Sequence, residues 1–327
     1  MISFATVAQE QWPLAKPFII SRGVIHDVTV VLVELGDGEV RGRGESCPVP
    51  HFGESLEQVV RDIRGLLADL AETSDPAALI AAAPAGAARN AVDCAFWDLR
   101  AKRAGKSIAE LLGMPPLQAI ETVMTVSLDA PDVMAAAARA ATAHPILKLK
   151  LGAVGDGDRL RAVRASVPEK RLIVDVNEGW SFDELREYMP LLAELGIEMV
   201  EQPLRAGEDN PIAELAHLIP VGADESCHTS RDLDRLAALY DVINIKLDKT
   251  GGLTEALALA SGARARGLDV MVGCMLGTSL AMAPATVIAQ TCRFVDLDAP
   301  LLIGSDRAPS LTYADGKVSP PQSMLWG

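Results

Sequence analysis

The stretch Ile146-Leu147-Lys148-Leu149-Lys150-Leu151-Gly152 alternates two lysines with apolar residues. As a β-strand it projects both amines from one face. On the solvent face of an antiparallel sheet such a strand would be ordinary. Its company downstream decides otherwise. Asp175, Glu201, Asp224 and Lys246 each sit in or just after a short apolar run, at steps of 25, 26, 23 and 22 residues counted from Lys150. A strand plus its crossover helix takes roughly thirty residues or a little less, so the spacing reads as one ionisable group per βα unit.

Working outward, the rhythm begins near residue 121 and yields candidate strands at 121–127, 146–151, 171–177, 198–202, 220–224, 242–247, 269–274 and 293–297. Helical segments with legible caps lie between them, among them one opened by Pro131 and one by a Ser181/Glu184 capping box. Eight strands alternating with helices is the count for a (β/α)8 barrel, here a modified TIM-type barrel over residues 116–299. An open doubly wound sheet is the rival, but Gly36-Asp37-Gly38 sits in a hairpin and not in the βα turn that would cradle a nucleotide. Residues 1–115 break the rhythm. A hairpin of Val28–Leu35 and Glu39–Glu45 precedes three helices: one from Ser55 to about Glu72, one from Asp75-Pro76, and one over 86–104 stopped by Gly105. Strands followed by helices indicate an α+β capping domain, to which the tail 300–327 returns.

Composition sets the outer bounds. At 327 residues and 49% hydrophobic content the chain suits two domains and a large core. Its net charge of −14 argues against nucleic acid or an anionic membrane as partner. Five cysteines without CxxC spacing point to reduced thiols in the cytoplasm. Neither a signal peptide nor an uninterrupted apolar run of membrane length is legible. The oligomeric state is not legible either, and a homo-oligomer is compatible with all of this.

In a barrel, function sits at the C-terminal ends of the strands. Strands three, four and five are neighbours, so Asp175, Glu201 and Asp224 converge; strands two and six face each other across the mouth, so Lys150 and Lys246 flank that cluster from opposite sides. Three all-oxygen ligands on rigid strands suit a hard divalent ion, Mg²⁺, and no HxxxH or HExxH pattern offers zinc a site. A lysine acts as base once its pKa falls from about 10.4 towards roughly 7–8, which neighbouring positive charge and desolvation favour. One lysine would remove the proton α to a carboxylate and the other would reprotonate the opposite face, inverting the stereocentre. The competing reading makes both lysines counter-ions to the acids.

With these residues in view, the chain resembles the enolase superfamily, whose sites pair a lysine base with Mg²⁺. Lys-Leu-Lys at 148–150, Asp-Val-Asn-Glu-Gly-Trp at 175–180, Glu-Gln-Pro-Leu at 201–204, Ala-Asp-Glu-Ser at 223–226 and Asn-Ile-Lys-Leu-Asp-Lys-Thr-Gly-Gly at 244–252 look like its muconate lactonizing enzyme subgroup. The nearest likeness is to dipeptide epimerases, in particular the bacterial L-Ala-D/L-Glu epimerases of murein peptide metabolism. The most selective motif is Asp296-Leu297-Asp298, which in that family binds a dipeptide's α-ammonium group; period two on the eighth strand would place both carboxylates on one face. The resemblance implies that Lys150 and Lys246 are the acid/bases and that Asp175, Glu201 and Asp224 bind one Mg²⁺. It further implies that Lys148 meets the reacting carboxylate, Thr125 the peptide backbone, Arg22 the glutamate side chain, and that Cys274 lines the dipeptide site. Alternatives are an N-acylamino acid racemase, an o-succinylbenzoate synthase-like dehydratase, and a non-catalytic dipeptide-binding protein. Lys249-Thr250-Gly251 copies a β-lactamase triplet without its SxxK serine and reads as chance.

Overall fold

The first strand is one that the hairpin reading leaves out. In the computed structural model, which describes residues 2–327, β1 (Phe4–Ile20) pairs antiparallel with β2 (Gly23–Asp37), and β2 with β3 (Val40–Ser46). β1 escaped notice for a physical reason. It is a largely exposed edge strand whose apolar residues follow no sustained alternation, and its register shifts between Pro13 and Phe18. Proline is confined to edges and bulges because it donates nothing to the ladder.

Helices α1 (Leu56–Glu72), α2 (Pro76–Ala82) and α3 (Ala87–Ala104) cover one face of this sheet. Val31, Val33 and Leu35 of β2 pack with Val59, Ile63, Ala91, Ala95 and Leu99 in a separate core. α3 lies almost against the backbone of β3. A Cβ at Gly44 would sit 2.1 Å from the Ala91 carbonyl oxygen, and one at Gly42 2.3 Å from that of Ala95. Glycine is required by that close approach, not by any turn. At the start of α1, Ser55 accepts the Gln58 N–H, but the Gln58 side chain turns to Asp62, so only half of a capping box forms.

After the two-residue strand β4 (Ile120–Glu121) come eight parallel strands: β5 (Met124–Val126), β6 (Ile146–Lys150), β7 (Arg171–Asp175), β8 (Ile197–Glu201), β9 (Val221–Ala223), β10 (Val242–Ile245), β11 (Asp269–Val272) and β12 (Phe294–Val295). They neighbour one another in chain order, and the Val123 N–H donates to the Val295 carbonyl at 2.9 Å, bringing the last strand against the first. Period-two alternation divides the side chains. Leu147, Leu149 and Leu151 join the large core under the helices, whereas Ile146 joins Val123, Ile173, Met199, Val242, Met271 and Phe294 in a small inner cluster. That apolar plug closes the barrel below. Two and four residues further along the same faces come Lys148, Lys150, Asp175, Glu201, Asn244 and Lys246.

Three of the expected helices are reduced, the one between β9 and β10 to the four residues Leu233–Leu236 behind a 3₁₀ turn. Only a 3₁₀ turn, Asn210–Glu214, stands between β8 and β9, where Pro203, Pro211 and Pro220 interrupt the segment. The helix after β12 is four residues long, Ala299–Leu302. The remaining tail forms a hairpin, β13 (Tyr313–Ala314) and β14 (Lys317–Val318), that pairs with β4. It then reaches the N-terminal helices: Arg43 donates to the Met324 and Leu325 carbonyls at 2.7 and 2.9 Å, and the buried Trp326 indole donates to the Cys94 carbonyl at 2.9 Å. Among the described residues, no helix is long and apolar enough to cross a membrane.

Candidate active site

Strands β7, β8 and β9 bring Asp175, Glu201 and Asp224 together: an oxygen from each lies within 4.8 Å of the others, and all three side chains are buried. Each carboxylate is divided in the same manner. One oxygen is held by the scaffold: Asp175 Oδ1 by the Asn177 N–H at 3.0 Å, Glu201 Oε1 by Asn244 Nδ2 at 2.6 Å, Asp224 Oδ1 by Lys249 Nζ at 2.6 Å. The other oxygen meets only lysine. Asp175 Oδ2 contacts Lys148 at 3.0 Å and Lys150 at 2.7 Å, Asp224 Oδ2 contacts Lys246 at 2.6 Å, and Glu201 Oε2 lies 2.7 Å from Lys148 without making a hydrogen bond. Three half-tethered carboxylates, one with a buried unbonded oxygen, fit a hard divalent cation.

Lys150 and Lys246 come from β6 and from just after β10, four strands apart, and approach the trio from its two ends. Lys246 is the first residue beyond its strand and caps the short helix Leu247–Thr250. Gly273, facing it from the next strand, leaves the room it occupies: a Cβ there would fall 2.8 Å from the Asn244 amide and 3.1 Å from Lys246 Cε. Lys148 is enclosed deeper, at 1% exposure, between Asp175, Glu201 and Asp296.

The lowered lysine pKa expected for a base is not what this arrangement produces by itself. Burial pulls the Lys246 ammonium down, but Asp224 with Glu201 and Glu225 outweighs it, and the balance lies above the usual lysine range; Lys148 is raised in the same way by Asp175, Asp296 and Glu201. The carboxylates answer unequally. Burial and Asp175 push Glu201 up to about 8, whereas the lysines overcome burial at Asp175 and Asp224 and hold both below the usual range. The sign differs from expectation because the buried acids that face these amines favour their charged form by more than burial opposes it.

Asp296 and Asp298 do meet, though not through strand periodicity. β12 ends at Val295, and Asp298 adopts φ −91°, ψ −1° as the cap of Ala299–Leu302. A turn therefore joins the two carboxylates with Cys274 into one cluster. Asp296 Oδ2 accepts Lys148 Nζ at 2.7 Å and Asp298 Oδ2 accepts the Thr125 N–H at 2.7 Å. Burial and the neighbouring Asp296 push Asp298 up to about 7. Arg22 stands at the β1–β2 turn and reaches across to the barrel, contacting the Asn177 carbonyl at 3.3 Å, Glu178 at 3.4 Å and Glu225 at 2.8 Å. Lys148, Lys150, Lys246, Thr125, Cys274, Asp296, Asp298 and Arg22 all line one cavity of about 730 Å³ between the two sheets.

Sequence reasoning missed the residues that hold the trio. Lys249 also donates to the Asn244 carbonyl at 3.0 Å, a role that its triplet, which reads as chance in the sequence, does not announce. Gln202, at φ 37°, accepts the Asp224 and Ser226 N–H groups at 2.8 and 3.1 Å. Asn244 had a legible signal: it shares the inward face of β10 with Lys246, two residues on. Asp248 links the domains by accepting the Cys47 N–H and Asn90 Nδ2, each at 2.9 Å, and nothing in its sequence neighbourhood announces that.

A capped barrel whose mouth sets three carboxylates between two amines defines a class, the barrel enzymes that perform acid–base chemistry beside a cation. Comparison with known proteins narrows it. Residues 2–113 match the mandelate racemase / muconate lactonizing enzyme N-terminal domain and residues 132–324 the enolase C-terminal domain-like model. The chain belongs to the mandelate racemase / muconate lactonizing enzyme family of the enolase superfamily. Among its relatives, the L-Ala-D/L-Glu epimerase of Escherichia coli is 43% identical over 95% of this chain and 98% of that one. The N-acetyl-D-glutamate racemase of a Pseudoalteromonas species is 45% identical over 91% and 95%. Both are isomerases. An enolase family member from Agrobacterium tumefaciens, solved with sodium and L-Ala-L-Glu, is 47% identical, covers 99% of both chains and superimposes with a TM-score of 0.96. The Cytophaga hutchinsonii dipeptide epimerase, solved with Mg and D-Ala-L-Val, is 29% identical over 98% and 94%, with a TM-score of 0.92.

Proposed function

We propose that this protein is a dipeptide epimerase that inverts the α-carbon of the C-terminal residue, interconverting L-Ala-D-Glu and L-Ala-L-Glu. The observation that carries this reading is the placement of Lys150 and Lys246 at opposite ends of the carboxylate trio. Mg²⁺, held by Asp175, Glu201 and Asp224, would supply the positive charge that stabilises the enediolate and offsets the acids that now raise the lysines. Lys150 removes the α-proton from one face and Lys246 returns one to the other, with roles exchanged in the reverse direction. Lys148 draws the substrate carboxylate towards the trio. Asp296 and Asp298 receive the α-ammonium, Thr125 the peptide backbone, and Arg22 the glutamate side-chain carboxylate. Cys274 closes the wall beside the ammonium. Residues 116–299 form the catalytic barrel and 1–115 the capping domain, which contributes Arg22. Five free cysteines and the acidic balance suit a cytoplasmic setting.

The test is incubation with L-Ala-D-Glu and Mg²⁺ in D₂O, followed by NMR of the glutamate α-hydrogen. Exchange with conversion to the L,L epimer is expected, and no exchange with any dipeptide refutes the assignment. N-acylamino acid racemisation is the second reading, favoured by the racemase relative. Its substrate carries no ammonium, so the buried Asp296/Asp298 pair would be left unmatched. If Asp296→Asn kept dipeptide turnover while N-acetylglutamate reacted well, the second reading would replace the first.

A further inference from the structure

Arg22 stands where two cavities meet. Beyond the active-site cavity lies a second of about 720 Å³, and the two share Arg22, His51 and Asn177. Polar groups dominate its wall, and several are already matched. Glu178 contacts His51 Nε2 at 2.7 Å and accepts the Ala206 N–H at 2.8 Å. Two groups are not. Glu225 is 3% exposed; its Oε1 accepts Arg22 at 2.8 Å and Asn177 Nδ2 at 3.3 Å, but its Oε2 is buried with no hydrogen-bond donor. Arg205 lines the same cavity, and its side chain makes no ion pair among the described residues.

Arg205 and the join of the two cavities at Arg22 describe a ligand. Under the dipeptide reading, on which this inference rests, the substrate cannot grow at its α-carboxylate, which must stay free at the metal centre. Nor can it grow at its ammonium, enclosed by Asp296 and Asp298. Its side chain, which this reading sets at Arg22, is the one end left to extend, and Arg22 borders the second cavity. A side-chain carboxyl joined by an amide to another amino acid would turn its carbonyl oxygen to Arg22 and the new terminal carboxylate to Arg205.

We propose that the second cavity is a subsite for an amino acid in amide linkage to the γ-carboxyl of the epimerised residue, so that the enzyme also acts on tripeptides of the form L-Ala-γ-D-Glu-Xaa. The chemistry is unchanged: one α-C–H bond breaks, one forms on the opposite face, and the isopeptide bond is untouched.

The experiment offers the Mg²⁺-loaded protein L-Ala-γ-D-Glu-Gly beside L-Ala-D-Glu in D₂O and follows the glutamate α-hydrogen by NMR. The tripeptide is expected to exchange, and Arg205→Ala to lower its kcat/KM about tenfold, the scale of one charged hydrogen bond, while leaving the dipeptide unchanged. Exchange of the dipeptide alone overturns the subsite, as does an Arg205→Ala effect equal on both substrates. If neither substrate exchanges, the epimerase reading has failed, and calorimetry with the same tripeptide and Mg²⁺ decides the subsite separately. Binding weakened by Arg205→Ala upholds it; no binding removes it.

Discussion

Replacing Lys150 or Lys246 by alanine separates catalysis from folding, because the structure gives each partner carboxylate a second cation. Without Lys150, Asp175 keeps Lys148 at 3.0 Å; without Lys246, Asp224 keeps Lys249 at 2.6 Å. Neither variant therefore leaves a buried acid alone, the situation that costs about 3–5 kcal/mol, and both should unfold in urea within about 1–2 kcal/mol of the parent. Catalysis should fall much further. A positioned acid/base contributes about 10²–10⁴ in rate, and at the upper end this is about 5.4 kcal/mol of barrier. Epimerisation needs both faces served, so each variant loses it. Exchange needs only one. In D₂O each variant should still exchange the α-hydrogen of the epimer facing its surviving lysine, and the two variants should retain opposite epimers. Starting from L-Ala-D-Glu and L-Ala-L-Glu separately, NMR of the α-hydrogen reads this directly. A variant that exchanges both epimers at near-normal rate, or keeps epimerisation within tenfold, would refute the two-face arrangement.

Lys249→Met removes the ammonium from Asp224 Oδ1 and also the donor from the buried Asp224 and Asn244 carbonyls, so although Lys246 remains on Oδ2 the loss should reach about 3 kcal/mol in urea unfolding; a loss under about 1 kcal/mol would show that Lys249 does not hold this ligand. Burial pushes Asp248 up to about 7, above the unfolded value near 3.9, so its contribution is fully present below about pH 4 and is lost as pH rises through 7. Asp248→Asn should gain on the parent over that window by up to about 4 kcal/mol, and a stability difference that stays flat from pH 4 to 8 would contradict it. Gly44→Ala puts a methyl 2.1 Å from the Ala91 carbonyl, so α3 must move off β3, at a cost of about 3 kcal/mol or more in thermal or urea unfolding; a near-neutral variant would mean the sheet and helix are not so tightly apposed.

Much of the plan is local and could be read from the chain. The step of 22 to 26 residues between ionisable groups is set by the length of a βα unit, and Lys148 and Lys150 share a face because strands repeat every two residues. The Ser181/Glu184 capping pattern also acts between neighbours, and it appears in the structure as a full capping box. What the chain alone did not show depends on contacts between distant segments. The edge strand β1 carries no apolar alternation because solvent, not core, faces most of it. Asp296 and Asp298 converge through a turn whose backbone no period predicts. The tethers from Asn177, Asn244 and Lys249, and the sign of the lysine pKa shifts, exist only once three acids share a volume closed to water. Strand and helix periods are properties of the local backbone, whereas charge balance and shared cavities belong to residues up to hundreds apart, so sequence decided where the groups would stand and tertiary packing decided what each would meet.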